Sequence, residues 1–333
     1  MRAMILKSHR RVEEKPLVFN DIPIPEPDAG EVRLRVKVCG ICHTDLHIIE
    51  GEVKPPSLPL VVGHQIVGRV DSIGDGVKNL SIGERVGVPW LYSTCGKCSY
   101  CKNGAENLCE NIRFTGFDVN GGLAEYMVAP ADFVYPIPES FDDVQAAPLL
   151  CAGIIGYRAL SISEIKAGEI LGMFGFGASA HISIQVAIHR GTKVFVFTRS
   201  EEHRALAKKL GAEWVGRAED EAPEELDRAI IFAPAGYLIP IALEKVRRGG
   251  TVALAGIYMD SIPEMPYELI YGERKLVSVA NSTREDARGL LKVAEEIPIK
   301  SKVEAFRLEE ANEAYIKLKK SKIDGAGVIV VEE

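Results

Sequence analysis

Residues Cys42 to His47 place a thiol, two imidazoles, a hydroxyl and a carboxylate in one short stretch of this chain. A further imidazole, that of His64, and a distant thiol, that of Cys151, could join Cys42 in a Cys2His set. Two thiolates and an imidazole can bind zinc while a fourth coordination position stays open for a reacting group. The sequence therefore predicts a zinc site at which chemistry takes place.

On spacing alone, the three proposed ligands are equally consistent with separately buried residues. Asp45 favours the metal site, because it follows Cys42 by three residues and could accept the second N–H of a ligating His64, which would fix the tautomer of the ring. Thr44 and His47 favour it further, since a hydroxyl and an imidazole have a purpose near a group that must lose a proton.

Four more cysteines lie close together, at Cys95, Cys98, Cys101 and Cys109. Four thiolates on one lobe, at about residues 90–112, suit a closed tetrahedral zinc site that stabilises the lobe and does no chemistry. An iron–sulfur cluster is the alternative, but the bacterial ferredoxin pattern has a shorter last gap and a proline after its fourth cysteine, whereas this chain has Glu110 there. Disulfide pairing would leave one of the seven cysteines over; in the metal interpretation Cys39 is a buried, inert thiol.

A phosphate-binding turn is indicated where Gly175, Gly177 and Ala180 follow the apolar run 170–174 and open a helical pattern. Gly175 permits a tight turn, Gly177 lets a phosphate approach the backbone, and the helix N-terminus at Ala178 then faces the pyrophosphate. The strand–turn–helix context favours a dinucleotide site.

The strand that follows ends in Thr198, Arg199 and Ser200. An acidic residue usually binds the ribose 2′-hydroxyl of NAD at this point, whereas threonine, arginine and serine would bind a 2′-phosphate. We therefore expect NADP to be preferred over NAD. The alternative is that Arg199 is a solvated surface residue, since Glu201 and Glu202 add negative charge nearby.

Two domains must position these groups, because 333 residues exceed one ordinary core. Residues 32–38 alternate as a half-buried strand does, and short strands broken by glycine and proline predict a β-rich domain over 1–150. Short apolar strands then alternate with amphipathic helices, which predicts an α/β, doubly wound parallel sheet over 151–291. We expect the tail, 292–333, to return to the first domain.

Helical spacing predicts one continuous helix over residues 146–160, at the start of the second domain. The tail carries a predicted helix over 308–320 and a strand over 327–331.

Composition excludes several partners. The net charge of −7 gives no excess of positive charge that would indicate binding to nucleic acid or to an anionic membrane. No apolar stretch approaches the length that spans a bilayer, and the N-terminus lacks a signal-peptide pattern. We expect a cytoplasmic protein that acts on a small molecule.

Together these features resemble the zinc-dependent, medium-chain alcohol dehydrogenases over essentially the whole chain. The markers are the residues 40–47, Gly63-His64, the four-cysteine lobe, Cys151 and Gly175-Phe176-Gly177. The resemblance implies a GroES-like catalytic domain, a Rossmann domain, two zinc ions per chain and a homodimer or homotetramer. It also implies reversible hydride transfer between a primary or secondary alcohol and NADP⁺, with zinc polarising the substrate oxygen.

The resemblance assigns roles residue by residue. It implies that the catalytic zinc is bound by Cys42, His64 and Cys151. Asp45 resembles the partner of the histidine ligand, Thr44 the hydroxyl that takes the substrate proton, and His47 the outer end of the relay to solvent. His43 falls where the family has a cation near the pyrophosphate. Ile49 and Trp90 fall at substrate-pocket positions.

Two positions depart from the family pattern. Gln65 stands where many relatives have a glutamate, which predicts a more electrophilic metal with slower ligand exchange. Gly325 and Ala326 stand where many relatives have an arginine that contacts the pyrophosphate.

A quinone or enone reductase of the same superfamily is one alternative function, but such relatives usually lack zinc. A non-catalytic, zinc-stabilised NADP sensor is another, and it leaves Thr44 and His47 without a purpose.

Overall fold

The computed structural model describes residues 1–323 and 325–332. The chain divides into two compact units: Met1–Cys151 with the chain from Thr283 onward, and Ala152–Ser282. The first unit begins with β1 (Arg2–Leu6), β2 (Leu17–Asp21), β3 (Glu31–Gly40), α1 (His43–Glu50), β4 (Leu60–Val61), β5 (Gln65–Ile73), β6 (Arg85–Val88), β7 (Leu91–Ser93), α2 (Ser99–Lys102), β8 (Arg113–Phe114), β9 (Tyr126–Pro130), β10 (Tyr135–Pro136) and α3 (Asp143–Ala146).

The second unit is built from alternating strands and helices, as predicted. It contains α4 (Ala152–Ile162), β11 (Ile170–Phe174), α5 (Ala178–His189), β12 (Lys193–Phe197), α6 (Glu201–Lys209), β13 (Trp214–Gly216), β14 (Leu226–Ile231), α7 (Leu238–Lys245), β15 (Val246–Leu254) and β16 (Lys275–Ser278). The strands pair in parallel in the order β13-β12-β11-β14-β15-β16. This is the doubly wound order whose first βα turn binds dinucleotide phosphates.

The chain then returns to the first unit through α8 (Arg284–Glu296), β17 (Val303–Arg307), α9 (Ala311–Lys319) and β18 (Ala326–Val330). The main sheet of this unit has the order β10-β6-β5-β3-β18-β17, and β9 also pairs with β3. Alternation along β3 buries Val32, Leu34 and Val36 completely, so the polar residues between them face outward. Because β18 pairs with β3 beside Cys39, the tail closes the sheet that carries the first ligand stretch.

The boundary between the units differs from the expected one. The sequence placed it at 291–292, which falls inside α8, whereas the second unit ends at Ser282. Thr283 caps α8: its Oγ1 accepts a hydrogen bond from the Asp286 N–H at 3.2 Å, and Asp286 accepts one from the Thr283 N–H at 2.8 Å. The chain therefore passes from the second unit back to the first at Thr283, the N-cap of α8. The capping pattern is a local sequence signal for a helix N-terminus.

The continuous helix predicted over 146–160 is interrupted. After α3, residues Ala147–Leu150 form a 3₁₀ turn that contains Pro148, and Cys151 separates this turn from α4 with φ −133° and ψ −71°. The proline lacks the N–H that a regular helix would use at this point. The interruption gives Cys151 a backbone conformation that a continuous helix would not allow.

Within residues 1–323 and 325–332, no single helix is long and apolar enough to cross a membrane. The pair Asp143–Leu150 and Ala152–Ile162 meets the length and composition criterion only when both parts are joined across their bend.

Candidate functional site

The ligands predicted for the open site come together in the first unit. One sulfur each from Cys42 and Cys151 and one ring nitrogen from His64 lie within 4.8 Å of one another, and His64 Nε2 is 3.3 Å from Cys151 Sγ. Cys42 precedes α1, His64 lies between β4 and β5, and Cys151 occupies the interruption before α4. Three segments far apart in sequence thus supply one compact donor set.

Asp45 holds two of these donor residues, Cys42 and His64, in place through hydrogen bonds. Its carboxylate is completely buried. Oδ1 accepts hydrogen bonds from His64 Nδ1 at 2.8 Å and from the Gly63 N–H at 3.2 Å, and Oδ2 accepts one from the Cys42 N–H at 3.0 Å. Since a carboxylate oxygen accepts, His64 donates from Nδ1 to Asp45, and its Nε2 faces the sulfur atoms.

The protonation of the donor set suits a cation. A hydrogen bond from the Cys151 thiol, aided by His64, lowers the pKa of Cys42 well below its ordinary value. The same contact raises the pKa of Cys151. Burial alone would lower the pKa of His64, but Asp45 raises it to about 10. Cys151 and His64 therefore hold protons, which a bound metal would displace. Two sulfurs and one imidazole are donors that suit zinc.

A hydroxyl and an imidazole lie next to the donor set, on α1. Thr44 is nearly buried, and its Oγ1 is 3.6 Å from Cys42 Sγ. His47 lies one helical turn further on, and its Nδ1 contacts a carboxylate oxygen of Glu52 just beyond the helix end. Glu52 was not among the predicted residues; an acid five positions after a candidate relay histidine was the available signal. His43 is exposed as the first residue of α1.

Of the two predicted pocket residues, Trp90 contacts the site. Its ring centroid is 4.9 Å from that of His64 in an edge-on arrangement. The indole also stacks on Phe114 at 4.7 Å, and Phe117 lies at 6.1 Å. Ile49 is completely buried in the apolar core of the first unit. The side of the donor set next to His64 is therefore aromatic, and two of its three rings, Phe114 and Phe117, were missed by sequence reasoning.

Gln65, the residue that departs from the family pattern, is buried directly after His64 at the start of β5. It pairs with Gly40 across the sheet, and a Cβ on Gly40 would lie only 3.0 Å from Cδ of Gln65. Glycine at position 40 thus leaves the room that the amide side chain occupies. A neutral amide here adds no second buried carboxylate to that of Asp45.

The second donor set lies on the lobe. Its sulfur atoms, within 4.8 Å of one another, belong to Cys95, Cys98, Cys101 and Cys109. Backbone N–H groups of Lys97 and Cys98 lower the pKa of Cys95 to about 6, whereas burial raises the pKa of Cys109 to about 11. Four convergent thiols on a lobe of short elements could bind one zinc ion in a closed site.

An ion pair joins this lobe to the start of α8. Glu106 is 7% exposed, and its carboxylate accepts hydrogen bonds from the backbone N–H of Arg284 at 2.7 Å and from the guanidinium at 2.8 to 3.1 Å. The guanidinium also lies 4.6 Å from the centroid of the Phe133 ring. No local pattern in the sequence indicates this pair, because its partners are 178 residues apart.

Replacing Glu106 with glutamine is expected to lower the free energy of unfolding at pH 7 by about 2 kcal/mol. Burial alone would raise the pKa of Glu106, but hydrogen bonds from Arg284 lower it. A depressed carboxyl pKa stabilises the fold above its unfolded value of about 4.3, and this contribution disappears as the pH falls through the folded value. Urea unfolding at pH 7 and at acid pH should show that the difference in free energy of unfolding between the unmodified protein and Glu106→Gln shrinks as the pH falls.

Glu110→Gln, at an exposed position of the same lobe, is the matched control. A Glu106→Gln protein as stable as this control at pH 7 would contradict the prediction.

The turn predicted to bind a phosphate lies in the second unit, between β11 and α5. Gly175 follows β11 with φ +88°, and a Cβ there would lie 2.9 Å from Ala233 Cβ, so glycine is required. α5 begins at Ala178 after Gly177. A Cβ on Gly177 would meet no described atom within 4 Å, which leaves the backbone at the helix N-terminus open to a pyrophosphate.

The three residues after β12 have different surroundings. Thr198 is nearly buried, and Arg199 is exposed. Ser200 caps α6: its Oγ accepts a hydrogen bond from the His203 N–H at 3.1 Å and donates one to Glu202 at 2.6 Å. Among the predicted 2′-phosphate ligands, Arg199 is thus the one with an accessible charged side chain, and the serine hydroxyl already has partners.

Known proteins place the chain in a family. The model of the alcohol dehydrogenase GroES-like domain matches residues 28–139, and that of the zinc-binding dehydrogenases matches 180–296. A probable alcohol dehydrogenase, AdhA, of Mycobacterium tuberculosis is 42% identical over 92% of this chain and 91% of its own length. An alcohol dehydrogenase of Geobacillus stearothermophilus is 36% identical over 100% of both chains. The structure of a cinnamyl alcohol dehydrogenase from Sorghum bicolor has a TM-score of 0.90 at 28% identity, covering 99% of this chain and 97% of that one. The predicted fold class and family resemblance are confirmed: the chain belongs to the zinc-dependent, medium-chain alcohol dehydrogenases.

Proposed function

We propose that this alcohol dehydrogenase prefers NADP and acts through a zinc ion bound by Cys42, His64 and Cys151. The observation that carries the proposal is the convergence of these donor atoms within 4.8 Å. Asp45 supports it, because a buried carboxylate on His64 Nδ1 prepares Nε2 to bind a metal. A second zinc on the four-cysteine lobe would stabilise the fold.

The residues of α1 handle the proton. When bound, zinc supplies Lewis-acid polarisation of the substrate oxygen, and the nicotinamide supplies hydride chemistry. Thr44, beside Cys42 Sγ, takes the hydroxyl proton of the alcohol and passes its own proton toward His47. Glu52 accepts a hydrogen bond from His47 Nδ1, which leaves Nε2 as the proton acceptor. In aldehyde reduction the same groups return the proton to the substrate oxygen.

Aromatic contacts support a substrate with a ring. Trp90 is only partly buried and lies against the ligand His64, with Phe114 and Phe117 beside it. Offset and edge-on ring contacts favour aromatic partners beyond simple burial. We therefore infer that primary alcohols and aldehydes with an aromatic ring are better substrates than short aliphatic ones.

The exposed guanidinium of Arg199 supports NADP as the cofactor. It follows β12, where the dinucleotide ribose is bound in a doubly wound sheet. A guanidinium forms strong charge-assisted hydrogen bonds with phosphate oxygens.

The test is the loss of absorbance of the reduced nicotinamide, with NADPH and NADH run in parallel on benzaldehyde, cinnamaldehyde and acetaldehyde. The zinc content of the same sample is measured first. We expect two zinc ions per chain, faster oxidation of NADPH than of NADH, and faster reduction of the aryl aldehydes. A preference for NADH would overturn the cofactor assignment, and no turnover in protein with two zinc ions would overturn the catalytic one.

A further inference from the structure

A tyrosine hydroxyl is buried in the first unit without a hydrogen-bond partner. Tyr315 lies on α9, and its side chain is completely buried in the apolar core that also contains Leu46 and Ile49 of α1. Within residues 1–323 and 325–332, no group forms a hydrogen bond with this hydroxyl. Because a buried polar group without a partner is costly, the hydroxyl calls for a role that its packing does not supply.

The Tyr315 hydroxyl lies near the carboxylate of Asp45. Burial raises the pKa of Tyr315 well above its ordinary value, and interactions with Asp45, Cys39 and Cys42 raise it further. α9 packs on α1, the helix that carries Asp45. Both side chains are completely buried, so the hydroxyl and the carboxylate are neighbours in a part of the core that is closed to solvent.

Asp45 has room for one more donor. A carboxylate offers about four lone-pair positions, shared between its two oxygens. Oδ1 accepts hydrogen bonds from His64 Nδ1 and from the Gly63 N–H, and Oδ2 accepts one from the Cys42 N–H. Among the hydrogen bonds that the described residues form, one position on Oδ2 stays open, and a hydroxyl is a donor that fits it.

Cys39 is the weaker competitor for this hydroxyl. Its thiol is completely buried, and burial raises the pKa of Cys39 far above its ordinary value, so the sulfur keeps its proton. The thiol donates to the carbonyl oxygen of Gly40 at 3.5 Å. A neutral sulfur is a weak acceptor, whereas a carboxylate oxygen is a strong one. Asp45 is therefore the better partner for Tyr315.

We propose that Tyr315 is a positioning residue whose hydroxyl donates to Asp45 Oδ2 in the zinc-loaded protein and limits the negative charge that Asp45 passes to His64. This inference rests on the proposed zinc site and extends it. A carboxylate on Nδ1 makes a histidine ligand more basic, and a further donor on the same carboxylate draws charge away from that hydrogen bond. The buried amide of Gln65 acts in the same direction, because it adds no second carboxylate. Together, Tyr315 and Gln65 would keep the bound metal electrophilic.

The test compares Tyr315→Phe with the unmodified protein, both loaded with zinc. Phenylalanine keeps the ring and removes only the hydroxyl, so the core stays filled. Proton NMR gives the resonance of the His64 Nδ1–H, and a chromogenic chelator gives the rate of zinc release. In Tyr315→Phe we expect this resonance to move downfield, because Asp45 has one donor fewer and accepts more strongly from His64.

Zinc release should slow in the same variant. We expect the ion of the Cys42–His64–Cys151 set to leave Tyr315→Phe at least about threefold more slowly, a fraction of what a hydrogen bond to a charged group can contribute. The ion of the four-cysteine lobe is the internal reference, and its release should not change. Its phase is identified with Cys151→Ala, which should retain only that ion.

Tyr92→Phe is the matched control. Tyr92 is also a buried tyrosine of the first unit, and its hydroxyl donates to the carboxylate of Glu31 at 3.0 Å, which belongs to neither donor set. This variant should leave the His64 resonance and both rates of zinc release unchanged. A role of Tyr315 in packing alone would alter the free energy of unfolding only, so a resonance or a release rate in Tyr315→Phe that matches the unmodified protein would overturn this inference while the zinc site stands. Zinc on the lobe alone in the unmodified protein would overturn both.

Discussion

Replacing Cys151 with alanine should remove one zinc ion per chain and lower kcat/KM for aldehyde reduction by at least about a thousandfold, because several kcal/mol of Lewis-acid stabilisation disappear. Cys151 supplies one of the three converging donor atoms, and its sulfur lies 3.3 Å from His64 Nε2. Elemental analysis gives the zinc content, and single-turnover kinetics give the rate of the chemical step.

Cys39 provides the control for this experiment. It is also a buried cysteine of the first unit, but it belongs to neither donor set, and its Sγ lies 3.5 Å from the Gly40 carbonyl oxygen. Cys39→Ala should retain two zinc ions and nearly full activity, with only a small loss of stability from the missing sulfur. Full activity in Cys151→Ala, or equal losses in both variants, would refute the assigned role of the Cys42–His64–Cys151 set.

Local sequence signals predicted the elements that carry the site. Alternation in β3 matched its buried residues, and the apolar run 170–174 matched β11 residue for residue. Gly175 was predicted from the need for a tight turn, and its φ of +88° shows that need. Such signals are local because each depends on side-chain periodicity or on one backbone conformation.

Signals that depend on tertiary contacts were missed. The helix predicted over 146–160 had the right spacing, but the 3₁₀ turn around Pro148 interrupts it before Cys151. Ile49 was expected in a pocket and is buried in the core, since its exposure depends on what packs against α1. The ion pair between Glu106 and Arg284 joins residues 178 positions apart and becomes visible only in the folded chain.

Replacing Thr44 with valine should lower kcat/KM by about a hundredfold or more, since a positioned proton-transfer group typically contributes that much. Valine has nearly the same shape as threonine, so the nearly buried site next to Cys42 Sγ should stay filled. Zinc content and unfolding should therefore change little. Thr44→Ser, which keeps the hydroxyl, should retain most of the activity. Glu52→Gln should have a smaller effect than Thr44→Val, because Glu52 acts on the proton route through His47. If valine and serine at position 44 gave equal rates, the proton would have to leave by a route without this hydroxyl. That result would also contradict the roles proposed for His47 and Glu52.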